Sequence, residues 1–88
     1  MTREQKSVIE TFWQRATQAA EQGHVEDARA WLEGIVEVDD QNVDAWLWLA
    51  DLIPDARERM ACYIQVLEAA PGNAQARAGI RKTRRELR

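Results

Sequence analysis

The sequence predicts an all-α protein of five helices that form antiparallel hairpins. Apolar residues recur at intervals of three and four along most of the chain, which is the period of an amphipathic helix. Gly, Pro, Asn and Asp interrupt this period at short connections, and short connections favour antiparallel neighbours. No stretch alternates apolar and polar residues as a half-buried strand does. We therefore expect helical hairpins stacked side by side.

The first two helices are predicted over residues 4–22 and 25–38, as a hairpin over about 4–39. Gly23 follows the last periodic position of the first helix, where helices commonly end. Gly34 lies inside the second helix at a cost in helix propensity, which indicates a close helix crossing. Residues 39–42 break the pattern with turn-forming side chains.

The central helix is predicted over residues 43–53, with Asn42 as its cap. Only Asp44 and Asp51 are charged in this stretch, and its apolar residues do not alternate as in a strand. A helix that is apolar on most sides is buried or belongs to an interface.

Pro54 ends the central helix and opens the fourth, which is predicted over residues 55–70 and completes a second hairpin over about 43–70. The break at residues 71–73 provides Asn73 as the next cap. The fifth helix, residues 74–87, has a thin apolar stripe and is predicted to be a capping helix.

The 88 residues are expected to form one domain, 1–88. No signal-peptide core and no apolar run long enough for a bilayer are found, so no membrane is predicted. A single cysteine makes a cytoplasmic location the default. Residues 1–72 hold six Lys/Arg and fourteen Asp/Glu, giving −8, whereas residues 73–88 hold six and one, giving +5.

An internal repeat supports the stacked architecture, because residues 37–45 recur as 68–76 after a displacement of 31. Each copy joins the apolar end of a helix to a turn, an asparagine cap and an alanine in the next first turn.

Over about residues 8–80 the chain resembles the tetratricopeptide repeat (TPR) family. The family's pattern of Trp, Leu-Gly and an aromatic residue corresponds here to Trp46, Leu49, Ala50 and Ile53. Its later Ala, aromatic and Pro pattern is matched by Ala28, Leu32 and Asp40 in one copy and by Arg59, Tyr63 and Pro71 in the other. The resemblance implies a short right-handed solenoid of two repeats and a capping helix. This chain departs from the family in its shorter repeat, in Asp40 for proline and in Arg59 for a small residue.

No catalytic, cofactor or metal site is predicted, so we do not expect an enzyme. His24 lies in a turn and is expected to be exposed, and Cys62 is expected to be a small buried or half-buried residue. The four glycines are isolated and form no phosphate loop.

The resemblance implies that the first helix of each hairpin lines a groove that holds a partner peptide or helix. Aromatic side chains often dominate such interfaces, so the sequence predicts contacts from Trp48, Leu47 and Trp13, with Asp51 and Asp44 as a polar rim. Leu47 and Asp51 replace the Lys and Asn with which family members grip a C-terminal carboxylate, so that activity is not expected. Two alternatives remain open: Trp48 belongs to the core, or the same surface closes a homodimer.

The fifth helix carries Arg77, Arg81, Arg84 and Arg88 at intervals of four, three and four, which places them on one stripe. Such a stripe suits an acidic partner, and an anion- or RNA-binding adaptor is a weaker alternative because the negative charge of residues 1–72 disfavours nucleic acid. The alternative is a cap helix kept soluble by its charge.

Overall fold

The computed structural model describes residues 1–88 and contains five helices and no strand. The helices are Arg3–Glu21 (α1), Val25–Val38 (α2), Val43–Leu52 (α3), Ala56–Ala69 (α4) and Ala74–Glu86 (α5). Each observed end lies within one residue of the predicted one, so the all-helical prediction is confirmed. None of these helices is both long enough and apolar enough to cross a lipid bilayer.

The chain divides into two compact units, residues 1–40 with α1 and α2 and residues 41–88 with α3, α4 and α5. In the first unit α1 packs against α2, and in the second unit α4 packs against both α3 and α5. In the longer unit, α4 is therefore the helix that contacts both of the others.

Small residues allow close packing in the first unit. Its buried apolar residues are Ala16, Ala19, Ala28, Leu32 and Ile35. A methyl group at Gly34 would lie 2.9 Å from two atoms of the Phe12 ring, which confirms that α1 and α2 cross closely there. The same ring lies 5.2 Å, centroid to centroid, from that of Trp31.

The second unit buries residues from all three of its helices. These are Ala45, Leu49, Ala50, Ile53, Cys62, Val66, Ala76 and Thr83. Cys62 is only 5% exposed, as predicted. The ring of Tyr63 on α4 lies directly on Gly79 of α5, where no side chain would fit without movement.

The turns that follow α2 and α4 have the same local geometry. Their C-cap residues are Asp39, with φ −140° and ψ 92°, and Ala70, with φ −141° and ψ 82°. At the start of the next helix, Asn42 Oδ1 accepts from the Ala45 amide at 3.0 Å and Asn73 Oδ1 accepts from the Ala76 amide at 2.9 Å. The predicted caps are confirmed, and at a spacing of 31 residues the two turns share these C-cap angles and the asparagine cap, while the Asn73 amide also donates to the Ala70 carbonyl oxygen at 3.0 Å.

The start of α4 differs from the prediction in one detail. Asp55 is the N-cap residue, because its carboxylate accepts from the amides of Arg57 at 2.8 Å and Glu58 at 3.1 Å. Pro54 consequently lies one residue before the cap and not at the first helical position. Gly23 ends α1 as predicted, with a φ of +78° that favours glycine.

Four residues that the apolar period of the sequence assigns to the buried faces of their helices are exposed: Val8, Trp31, Ile64 and Leu87. Trp31 is 36% exposed although its ring lies beside that of Phe12. Ile64 is 46% exposed because it lies about 200° around α4 from the buried Cys62. Val8, 39% exposed, belongs to the first turns of α1, which at 19 residues is longer than α2 at 14. Leu87 is 44% exposed and follows the last residue of α5.

Candidate functional sites

The four residues predicted on α3 share its outer side, which we call the α3 surface: Asp44, Leu47, Trp48 and Asp51. Asp44 and Asp51 are exposed and lie about two turns apart along one line of the helix. Leu47 and Trp48 are half-buried, and the helical period places them on opposite sides of this line. An acidic line with apolar edges is therefore presented on one helix.

The inner side of α3 explains this arrangement. Ala45, Leu49 and Ala50 are at most 2% exposed and hold the helix in the core. Trp48 is not fully buried, so it lies at the boundary between the core and the surface. Trp13, the fifth predicted contact, is half-buried on α1 and belongs to the other unit.

A polar pocket lies beside the α3 surface, with a volume of about 230 Å³; we call it the Tyr63 pocket. All three helices of the second unit contribute to it. Its charged and hydroxyl-bearing residues are Asp51, Arg59, Tyr63, Lys82, Thr83 and Glu86. Asp51 thus belongs both to the α3 surface and to this pocket.

Arg59 organises one wall of the Tyr63 pocket. Its Nη1 donates to the carbonyl oxygens of Ile53 at 3.1 Å and Pro54 at 2.8 Å, and its Nη2 donates to Glu86 Oε2. The last carbonyl groups of a helix have no partner within it. One guanidinium therefore gives hydrogen-bond partners to the two carbonyl oxygens that follow α3 and also links α4 to α5.

The other two charges of the pocket are available to a bound group. Asp51 and Lys82 form no hydrogen bond or ion pair in the structure, whereas Arg59 and Glu86 occupy each other. The hydroxyl of Thr83 donates to the Gly79 carbonyl oxygen at 2.7 Å. The pocket can therefore offer one carboxylate and one ammonium group to a partner.

Burial raises the pKa of the Tyr63 phenol above its ordinary value of 10.0. The nearby carboxylate of Asp51 raises this pKa further, because a negative charge disfavours the phenolate, while Arg59 acts in the opposite direction. The pKa of the Tyr63 phenol is therefore sensitive to the charges that line the pocket.

An absorbance titration of Tyr63, the single tyrosine of the chain, is expected to have its midpoint above pH 10.0. The Asp51→Asn variant is expected to have a lower midpoint than the wild type, since it removes the second cause of the shift. Asp44→Asn on the same helix is the control and should leave the midpoint unchanged. A wild-type midpoint at or below 10.0 would contradict the structure.

The raised pKa of Tyr63 also determines how its contribution to the free energy of unfolding changes with pH. The folded state holds the phenolic proton more tightly than the unfolded state, whose pKa is near 10.0. Tyr63 therefore stabilises the fold below the unfolded pKa, and this contribution is lost as pH rises through the folded pKa.

Sequence reasoning did not identify the Tyr63 pocket. The apolar period of the sequence places Tyr63 on the apolar face of the fourth helix, and Arg59 departs from the family pattern. That departure was the one available signal, because a long cation where small residues are usual needs partners of its own. The partners lie five, six and 27 residues away.

The basic stripe is exposed along its whole length. Arg77, Arg81, Arg84 and Arg88 are all exposed, as are Lys82 and Arg85 beside them. Arg77 donates from Nη2 to the Pro71 carbonyl oxygen at 3.1 Å. None of the six cations forms an ion pair.

Comparison with models of known protein families found no match, and comparison with curated proteins found no significantly similar sequence. No group of three or more His, Cys, Asp and Glu side chains is placed to hold a metal ion. The features that bear on function are therefore the α3 surface, the Tyr63 pocket and the basic stripe of α5.

Proposed function

We propose that the chain is a cytoplasmic protein-interaction module, built from TPR-like repeats, that holds a peptide or helix of another protein on the α3 surface. The observation that carries the proposal is the pairing of half-buried Leu47 and Trp48 with exposed Asp44 and Asp51 on one helix. The partner segment is apolar with basic residues, because its cations would meet the acidic line of α3.

The similarity of the two turns supports the repeat architecture. A repeat protein is expected to reuse the same joint between successive helices, and the caps at Asn42 and Asn73 have the same hydrogen bond. The backbone angles of the preceding C-cap residues agree as well.

The chemistry of the α3 surface supports a binding function. Trp contributes a large apolar area and is enriched among the residues that dominate interface energies. The flanking carboxylates are exposed and add selectivity for a partner of opposite charge more than raw affinity. The Tyr63 pocket extends this surface and would take the end of one polar side chain.

Peptides selected from a random phage library on the immobilised protein are expected to combine apolar and basic residues. Binding of a selected, fluorescently labelled peptide should weaken by about tenfold or more in Trp48→Ala, because truncation of a central aromatic contact costs roughly 1–3 kcal/mol. Asp51→Asn should have a smaller effect that diminishes at high salt.

Ile64→Ala is the matched control, since Ile64 is a 46% exposed apolar residue of α4 outside the α3 surface. Circular dichroism should show nearly unchanged helicity in Trp48→Ala. Equal peptide affinities for Trp48→Ala and wild type would contradict the proposal. A collapse of helicity would instead place Trp48 in the core, and Leu47→Ala would then be the deciding variant.

A homodimeric structural subunit is the alternative use of the same surface. Light scattering over about a tenfold range of concentration separates the two functions, since self-association is governed by mass action. A stable dimer that Trp48→Ala dissociates would favour the structural subunit. A monomer throughout would leave the α3 surface available to a different protein.

A further inference from the structure

The exposed stripe of α5 is a second surface, distinct from the α3 surface. We call it the α5 basic face: Arg77, Arg81, Arg84 and Arg88. The intervals of four and three residues place Arg77, Arg81 and Arg84 on one line of the helix, whereas Arg88, predicted on the same stripe, lies two residues beyond the last residue of α5. No carboxylate of the chain pairs with any of them.

The single carboxylate of α5 points away from this face. Glu86 lies nearly opposite the centre of the basic face, about 170° around the helix. There it lines the Tyr63 pocket and is held by Arg59 of α4. The fold therefore holds Glu86, the carboxylate closest in sequence to these arginines, away from the basic face.

Stabilisation of α5 explains only part of this charge. Cations favour the last turn of a helix, where they oppose the negative end of its dipole, and Arg84 and Arg85 lie there. Arg77 and Arg81 lie too early in the helix for that effect. Arg77 donates one hydrogen bond to the Pro71 carbonyl oxygen, whereas Arg81 forms no hydrogen bond or ion pair, and both are exposed in line with Arg84.

We propose that the α5 basic face binds an acidic helical segment of another protein, with carboxylates at intervals of three and four residues. Such spacing matches the arginines turn by turn. Guanidinium groups form bidentate hydrogen bonds with carboxylates, which adds geometric selectivity to the attraction between opposite charges.

Two observations favour an acidic protein over nucleic acid. In the same unit as α5, residues 41–72 carry two Lys/Arg and five Asp/Glu, a net charge of −3, which would repel a long polyanion bound along α5. Residues 73–88 contain no aromatic side chain on which a base would stack. A short acidic segment interacts only within a screening length of about 10 Å and so responds mainly to the basic face.

The test uses two labelled alanine-based peptides of about 18 residues, long enough to form helix in isolation. One carries glutamates at intervals of four, three and four, and the other carries glutamine at the same positions. Fluorescence anisotropy at about 0.1 M salt, where the screening length is about 10 Å, should detect binding of the glutamate peptide to the full chain and much weaker binding of the glutamine peptide.

Arg81→Glu/Arg84→Glu should weaken binding of the glutamate peptide by about tenfold or more, because two attractions become repulsions. The control is Arg3→Glu/Arg57→Glu, which makes the same change of net charge at exposed positions of α1 and α4. If the reversed variant loses helicity, Arg81→Gln/Arg84→Gln replaces it, with a smaller expected loss.

Equal binding of the two peptides, no detectable binding, or equal effects of the test and control variants would overturn the proposal. Tighter binding of a short random DNA duplex than of the glutamate peptide would assign the face to nucleic acid instead. Salt-sensitive self-association that Arg81→Glu/Arg84→Glu abolishes would assign it to a second copy of the chain.

Discussion

Replacement of Arg59 with alanine is expected to lower the free energy of unfolding by about 2–3 kcal/mol. The guanidinium donates to the carbonyl oxygens of Ile53 and Pro54 and to Glu86, and its side chain is only 20% exposed. The two carbonyl groups account for most of this loss, because hydrogen bonds to a charged donor are stronger than neutral ones.

The ion pair accounts for less of the loss, because Glu86 is 39% exposed and such pairs contribute at most about 1 kcal/mol. Urea unfolding followed by circular dichroism measures the effect. Arg57→Ala, an exposed arginine of the same helix, is the control and should change stability by less than about 0.5 kcal/mol. The loss in the free energy of unfolding for Glu86→Ala should lie between the losses for Arg57→Ala and Arg59→Ala. Equal effects of Arg59→Ala and Arg57→Ala would show that Arg59 does not hold the end of α3.

Gly79→Val is expected to destabilise the protein by about 1–3 kcal/mol through overpacking. A Cβ atom at this position would lie 2.6 Å from both Cε atoms of Tyr63, and nearest to Cζ, so the ring as a whole must move. Because valine is also a modest helix former, little gain in propensity offsets the clash.

Removal of the ring should reverse this cost. In a Tyr63→Ala background, Gly79→Val is expected to be nearly neutral, which a double-mutant cycle of urea unfolding measures. Ala78→Val, at an exposed position of α5, is the control for valine propensity and should cost about 0.5 kcal/mol. Equal costs of Gly79→Val with and without the ring would contradict the packing of Tyr63 on Gly79.

Local features were predictable from the sequence because their causes lie within a few residues. The asparagine caps and the end of α1 at Gly23 each follow from one residue and its neighbours. The helix ends were predicted for the same reason.

The Tyr63 pocket was not predictable because α3, α4 and α5 all contribute to it. An apolar pattern assigns Tyr63 to a face but does not show that its ring meets a glycine on another helix. It also gave Ile64 to the buried side of α4, whereas the close packing of α4 is at Cys62 and Val66. Contacts between distant residues set these details.

The placement of α3 was predicted in part. Its apolar composition indicated a helix buried on most sides, and the structure buries Ala45, Leu49 and Ala50. Composition alone did not decide whether Trp48 belongs to the core or to an interface, because a half-buried tryptophan satisfies either pattern. The predicted binding role of Trp48 stays a prediction that peptide selection can test.

The similarity of the two turns has a consequence for how such a chain could be lengthened by duplication of a repeat. The turns at residues 39–42 and 70–73 share only their final asparagine, yet their capping angles and hydrogen bonds agree. Tandem duplication of the 31 residues 42–72 would begin each new copy at an asparagine and end it within a turn of the same kind. Helix boundaries would survive the event, and the residues between the caps would be free to diverge. The turn accepts both Asp-Asp-Gln and Ala-Pro-Gly before its asparagine. Repeats of different sequence can therefore be connected through this turn to give chains of different length.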